Sequence, residues 1–146
     1  MAEVKISELT AKGSNLETSD LLIISKSDGS GGYDSKYITG AELTNVTIDN
    51  KTASYTLVLA DANKLIEVNN ASANTLGVPL NSTDAFPIGT QILVAQQGAG
   101  QTTITPVSGV TLRSSGGKLK IAAQYGVATL IKRATDEWYV AGDLTT

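Results

Sequence analysis

Gly89-Thr90-Gln91-Ile92-Leu93-Val94-Ala95-Gln96-Gln97-Gly98-Ala99-Gly100 is the stretch that decides the fold of this chain. Its first part is rich in apolar and β-branched side chains and ends at a glycine pair, which is typical of a strand followed by a turn. Because glycine tolerates tight turns, we expect the chain to reverse at Gly98 and Gly100 and to form a hairpin with residues 102–105.

Similar strand signals recur along residues 54–144, separated by turn residues and without a stretch of helical period. About nine strands at roughly ten-residue spacing predict an all-β fold, an antiparallel β-sandwich or jelly-roll-like domain over residues 46–146. Several strands are apolar on both faces, since Leu93 must point away from Ile92 and Val94, and Leu130 from Thr129 and Ile131. Two explanations stay open: the second face is exposed or meets another subunit, or such strands are central and buried on both sides.

Residues 1–45 differ from the rest of the chain in charge. They contain seven acidic and four basic residues, whereas residues 46–146 contain seven of each. An apolar run at residues 20–26, a glycine-rich loop and an alternating segment at residues 33–39 predict a β-hairpin. Because a lone hairpin is marginally stable in water, we expect it to pack on a partner or on copies of itself. Residues 1–45 are therefore predicted to form a small attachment module.

Composition argues against most kinds of chemistry. The chain has no histidine and no cysteine, which removes the commonest general base, the commonest metal ligand and the best side-chain nucleophile. The loop at residues 28–34 lacks the alternating ligands and distal glutamate of a calcium site. The adjacent acids Asp136 and Glu137 lie in a predicted turn, which explains them without the carboxylate pair of a glycosidase. We predict no enzyme activity, no metal and no cofactor.

The net charge and the hydropathy of the chain also limit which kinds of partner it can have. A net charge of −3 and a pI near 4.8 argue against nucleic-acid binding, which normally needs a basic surface. The first residues contain no apolar segment typical of a secretory signal. Apolar runs such as residues 21–24 are far shorter than a membrane span. We therefore expect neither nucleic acid nor a membrane as a partner.

Segments in both halves of the chain resemble virion proteins of tailed bacteriophages. In the N-terminal half they are Lys5-Ile6-Ser7-Glu8-Leu9-Thr10, Asp20-Leu21-Leu22-Ile23-Ile24 and Lys36-Tyr37-Ile38-Thr39-Gly40-Ala41-Glu42-Leu43. Later segments resemble a β domain that recurs in phage fibre and head-surface proteins: Tyr55-Thr56-Leu57-Val58-Leu59-Ala60-Asp61-Ala62-Asn63-Lys64-Leu65-Ile66-Glu67-Val68, Phe86-Pro87-Ile88-Gly89-Thr90-Gln91-Ile92, Gly126-Val127-Ala128-Thr129-Leu130-Ile131 and Trp138-Tyr139-Val140-Ala141-Gly142-Asp143.

The resemblance implies a non-enzymatic structural protein of the virion surface, a homotrimer assembled in the cytoplasm of the host bacterium. Its N-terminal part is expected to attach to the particle while the β domain projects. The chain is short and lacks the shaft repeats and heptads of an extended fibre. These features favour a capsid decoration (cement) protein or a short head fibre, with the major capsid protein as its partner.

Two groups of side chains are predicted to contact that partner. An apolar strand can cover or extend an exposed sheet edge of the capsid protein, and the residues assigned to this contact are Ile6, Leu9, Leu21, Leu22, Ile23 and Ile24. A basic group is predicted to face an acidic capsid surface or the acidic N-terminal module of a neighbour, and consists of Arg113, Lys118, Lys120, Lys132 and Arg133. The alternative for this second group is a solvated sheet edge protected by charge.

A tail-fibre or tail-tip protein that binds a receptor glycan is the alternative function. A sugar site needs aromatic side chains near amides and carboxylates, and the candidates are Trp138, Tyr139, Tyr125, Tyr33 and Tyr37. For the adjacent pair Trp138 and Tyr139 a simpler explanation is a strand with one residue inside and the next outside.

Overall fold

The computed structural model describes the backbone of residues 21–27 and 33–39 and all atoms of residues 45–146. The chain divides into two compact units, Met1–Asn45 and Val46–Thr146. In the first unit, β1 (Leu21–Ser27) and β2 (Tyr33–Thr39) pair antiparallel.

The second unit contains short strands and two single 3-10 turns, and no α-helix occurs in the parts of the chain that the structure describes. Its strands are β3 (Ile48–Lys51), β4 (Tyr55–Thr56), β5 (Leu65–Val68), β6 (Asn74–Val78), β7 (Gln91–Gln96), β8 (Thr102–Pro106), β9 (Thr111–Ser114), β10 (Lys120–Ile121), β11 (Val127–Ala134), β12 (Glu137–Gly142) and β13 (Leu144–Thr145). The all-β prediction is confirmed.

These strands form two sheets, one of six strands in the order β3-β5-β7-β11-β12-β9 and one of five in the order β13-β10-β8-β6-β4. The antiparallel prediction is wrong for much of the unit, because five of its nine strand pairs are parallel. From β3 to β8 successive strands alternate between the two sheets. The chain therefore returns to each sheet in the same direction, with the intervening strand as the crossover that parallel pairing requires.

The predicted hairpin at Gly98 and Gly100 is wrong for the same reason. Strand β7 lies in the six-stranded sheet and β8 in the five-stranded sheet, so the glycines connect the two sheets. Their N–H groups donate to the end of β5 and to the turn that follows it: Gly98 to Val68 O at 3.0 Å and Gly100 to Asn70 O at 2.9 Å. The connection between β7 and β8 thus packs with its backbone against the backbone of the connection between β5 and β6. Glycine leaves room for that close approach.

Alternation along the strands builds the core. Every second side chain of β7 points inward, so Ile92 and Val94 are fully buried while Leu93 lies on the opposite face. The inner faces of both sheets share one hydrophobic cluster: Leu57, Ile66, Val68, Leu76, Val78, Phe86, Ile92, Val94, Ile104, Val110, Ile121, Ala128, Leu130, Trp138 and Val140. The rings of Phe86 and Trp138 pack edge to face with centroids 5.4 Å apart, which is a favourable aromatic geometry.

Candidate interaction surface

The outer face of the six-stranded sheet carries a group of neighbouring apolar side chains, with the polar Asn50, Glu67 and Gln91 in the same rows. Strand register sets Ile48 beside Leu65, Leu65 beside Leu93, and Leu93 beside Thr129. Side chains paired in this way on one face of a sheet are in contact range. We call the resulting surface the apolar sheet face, and it consists of Ile48, Leu65, Leu93, Ala95, Val127, Thr129, Ile131, Tyr139 and Ala141.

The exposed fractions of its side chains show that this surface is not a second hydrophobic core of the unit. Ile48 is 60% exposed, Tyr139 46%, Val127 39% and Ile131 37%. Single exposed apolar side chains are ordinary, but a contiguous group marks an interaction surface. Of the two explanations left open for Leu93, the structure therefore favours a face at the surface over a strand buried on both sides.

The opposite sheet differs in chemistry. The outward positions of β6 and β8 pair Thr75 with Thr103 and Gly77 with Thr105, and Thr56 of β4 continues the second row. This outer face is therefore lined mainly by hydroxyl groups, which water hydrates well. The two faces of the same unit thus differ in apolar character.

A charged cluster borders the apolar sheet face at the strand pair β12 and β9. Glu137 accepts from Arg113 Nε at 2.6 Å and from Arg133 Nη1 at 2.6 Å. The hydrogen bond from Arg113, with the charge of Arg133, lowers the pKa of Glu137 below its ordinary value. Arg133 also lies 5.6 Å from the Tyr139 ring centroid, a cation–π distance. The cluster keeps both guanidinium groups beside the apolar surface.

The predicted basic group is only partly brought together. Arg113 and Arg133 meet around Glu137, whereas Lys120 lies on β10 in the other sheet and Lys118 is exposed just before it. Lys132 is only 2% exposed. Its inward position follows from strand alternation, since it is two residues from the buried Leu130. Lys132 is therefore not available for a surface contact.

Four of the six residues predicted to make the apolar contact of the N-terminal module lie in a described strand. Leu21, Leu22, Ile23 and Ile24 lie in β1, whose backbone pairs with β2. Ile6 and Leu9 lie outside the described residues.

The predicted aromatic and acidic residues occupy separate places. Trp138 is buried at 1% exposure and its neighbour Tyr139 is exposed, as the inside–outside explanation expects. Tyr125 is 74% exposed and has a positive φ of 67°. Asp136 Oδ1 accepts the Asn81 backbone N–H at 2.7 Å, while the adjacent Glu137 pairs with the arginines. Tyr33 and Tyr37 lie in β2, whose backbone alone is described.

Sequence reasoning places Leu93 and Ile131 on the face opposite their buried neighbours but does not identify Ile48 or Val127 as members of the apolar sheet face. Ile48 starts a short strand between polar residues, and Val127 starts β11 between Gly126 and Ala128, so local patterns are weak at both positions. Strand parity assigns Ile131 to the face opposite the buried Leu130, and the structure places it there. Only the register of the sheet places these separate strands side by side.

The described residues contain neither a metal-binding cluster of side chains nor a membrane-spanning helix. No group of three or more acidic, histidine or cysteine side chains in the described part is close enough to hold a metal ion. Within the same residues, no helix has the length and apolar character needed to cross a membrane. Comparison with protein-family models found no match, and comparison with curated proteins found no significant similarity.

Proposed function

We propose that this chain is a structural, non-enzymatic protein of a tailed-phage virion that decorates or stabilises the outside of the capsid. In this proposal the N-terminal module, residues 1–45, attaches to the major capsid protein as a hairpin. The second unit, residues 46–146, projects from the particle and associates with copies of itself as a homotrimer. The location is the virion surface after assembly in the host cytoplasm, with neither nucleic acid nor a membrane as a partner.

The apolar sheet face is the observation that supports this proposal best. It spans five neighbouring strands of the six-stranded sheet, from Ile48 on β3 to Ala141 on β12. Burial of such a surface in an oligomer removes apolar area from water, and each square ångström removed contributes roughly 25 cal/mol. The arginine and glutamate cluster at its margin gives the polar rim common at interfaces.

Size-exclusion chromatography with light scattering tests the self-association. The wild-type chain is expected at three times its 15.1 kDa mass. Ile131→Asp places a charge on the apolar sheet face and should shift the protein toward the monomer, because an unpaired charge is costly to bury. Thr105→Asp is the matched control, since Thr105 is exposed on the hydroxyl-lined face. A monomeric wild-type protein, or equal effects of both variants, would contradict the trimer interface.

The capsid location has its own test. Cryo-electron microscopy of the virion that carries this chain should show its density over the capsid lattice at three-fold symmetric positions. Density confined to the tail would overturn the decoration proposal and leave the oligomer test unaffected.

The second candidate function is receptor binding at a tail fibre or tail tip. Tyr125 favours it, because this ring is exposed beside Gln124 and Asp143 in a shallow surface depression. An exposed ring near an amide and a carboxylate can stack on a sugar and bond its hydroxyl groups. Glycan-array binding that Tyr125→Ala abolishes would support this function, and no binding to any glycan would argue against it.

A further inference from the structure

Lys132 occupies an unusual environment for a lysine. Its side chain is 2% exposed on the inner face of β11, and Nζ lies 5.8 Å from the Trp138 ring centroid. Burial lowers the pKa of Lys132, and the charge of Asp136 opposes part of that shift. Lysine is rarely buried unless it is paired, because a desolvated ammonium group is costly. The lowered pKa makes the neutral amine more accessible here than at an exposed lysine.

The amine of Lys132 contacts the side-chain amide of Asn81. Lys132 Nζ donates a hydrogen bond to Asn81 Oδ1. Asn81 lies in the connection between β6 and β7, so this contact joins that connection to β11 in the six-stranded sheet. Because Cγ is bonded directly to Oδ1, the hydrogen bond also brings the amine near the carbonyl carbon that it would attack. A nucleophile and a carbonyl carbon are therefore held together in a part-buried contact.

A carboxylate stands beside the same pair. Asp136 is half-buried in the turn between β11 and β12, and its Oδ1 accepts the Asn81 backbone N–H at 2.7 Å. The charge of Asp136 also acts on Lys132, so this carboxylate is near the amine as well as near Asn81. A carboxyl group close to two nitrogen atoms can carry a proton from one to the other, as a general base and then as a general acid. The amide side is partly open, since Asn81 is only half-buried. A small leaving molecule can therefore reach solvent.

We propose that Lys132 and Asn81 join in an intramolecular isopeptide bond, with Asp136 as the proton carrier. The neutral Nζ attacks Asn81 Cγ and forms the Nζ–Cγ bond. The Cγ–Nδ2 bond breaks, and Nδ2 leaves as ammonia. Asp136 takes a proton from Nζ and returns it to Nδ2, so the reaction needs no oxidant, reductant or other reactant. The product is a secondary amide and one molecule of ammonia.

Such a bond would replace a costly buried amine with a neutral amide. It would also tie β11 to the connection that leaves the five-stranded sheet, and thus cross-link the two sheets of a chain without cysteine. A covalent link between residues 51 apart in sequence restricts the unfolded chain. The inference concerns the second unit alone and does not depend on the proposed function.

Intact-mass spectrometry of the purified full-length chain tests the proposal. The wild-type protein should be lighter than its sequence mass by one ammonia, whereas Lys132→Met and Asn81→Ala should each have their own sequence mass. Asp136→Asn should lose the ammonia slowly or not at all. Lys118→Met is the matched control, because Lys118 is exposed and its replacement should leave the loss unchanged. After proteolysis, tandem spectra should identify one branched peptide that contains both Asn81 and Lys132.

Two outcomes would overturn the inference. One is a folded wild-type protein that keeps its full sequence mass. The other is an ammonia loss that persists in Lys132→Met, which would indicate a succinimide at Asn81-Ser82. A second measurement needs no folded variant: acetylation of the denatured wild-type protein should modify one amine fewer than the sequence contains, and complete modification would refute the bond.

Discussion

Gly100→Ala should destabilise the second unit, because the backbone of a neighbouring turn fills the space that the new methyl group needs. A Cβ atom at Gly100 would lie 2.0 Å from Ser72 O, and one at Gly98 would lie 2.2 Å from Asn70 O. Both obstacles are backbone atoms, so the connection at residues 97–101 must move away from the connection at residues 69–73. The perturbation therefore tests the stacking of turns 69–73 and 97–101 directly.

The sign of the effect separates stacked turns from a simple loop. Gly100 is not among the glycines with positive φ, so alanine at an open site there would stabilise the protein by about 0.4–1 kcal/mol through the unfolded state. Overpacking instead costs about 1–3 kcal/mol. We therefore expect the free energy of unfolding to fall by about 1–3 kcal/mol, which lowers the urea midpoint by roughly 1 M for a protein of this size.

Urea unfolding followed by tryptophan fluorescence is the assay. Trp138 is the single tryptophan of the chain and is buried against Phe86, so its emission reports on the second unit. Gly117→Ala is the control: its φ is 69° and nothing lies within 4 Å of the added Cβ, so only backbone strain of about 1 kcal/mol applies. Stability of Gly100→Ala equal to or above that of the wild type would refute the stacked-turn reasoning.

Three further changes test the core and the charged groups of the second unit. Leu130→Ala removes a fully buried side chain and should lower the free energy of unfolding by about 2–5 kcal/mol; a urea midpoint unchanged from that of the wild type would contradict the described core. Asp61→Ala leaves the Val58 N–H and the Tyr55 hydroxyl without their carboxylate acceptor, and we expect a loss of about 1–3 kcal/mol in the same urea assay, whereas a neutral effect would count against these bonds. Because the two arginines lower the pKa of Glu137 in the folded protein, its contribution to stability is present above the ordinary glutamate pKa and is lost as the pH falls through the lowered value. Glu137→Gln should remove that part of the acid dependence in thermal unfolding, and an unchanged pH profile would exclude the ion pairs as its source.

Local patterns predicted the strands more successfully than their partners. The alternation through Ile92, Leu93 and Val94 correctly assigned the two faces of β7, because side-chain direction in a strand depends only on position. The turn at Gly98 was also located correctly, but its role as a hairpin was wrong. A glycine-containing turn is compatible with reversal inside one sheet and with passage to the other, so turn composition does not choose between them.

The predicted interaction residues also show that local sequence patterns do not determine contacts between distant segments. Lys132 and Arg133 are adjacent in sequence and were assigned to one basic group, yet the first is buried and the second lies on the surface. Strand parity with Leu130 was a usable signal for Lys132. Its contact with Asn81 had no sequence signal, because the two residues are 51 positions apart.

The sequence by itself determined the all-β class, the positions of many turns and the inward or outward direction of most strand residues. These properties depend on neighbouring residues, namely on apolar periodicity and on the conformational freedom of glycine. Only the tertiary structure decided that successive strands of the second unit alternate between two sheets, that five of the nine strand pairs of that unit are parallel, and that Ile48 and Leu93 share one exposed surface. Pairing and register depend on contacts between distant segments, which many local sequence patterns satisfy equally well.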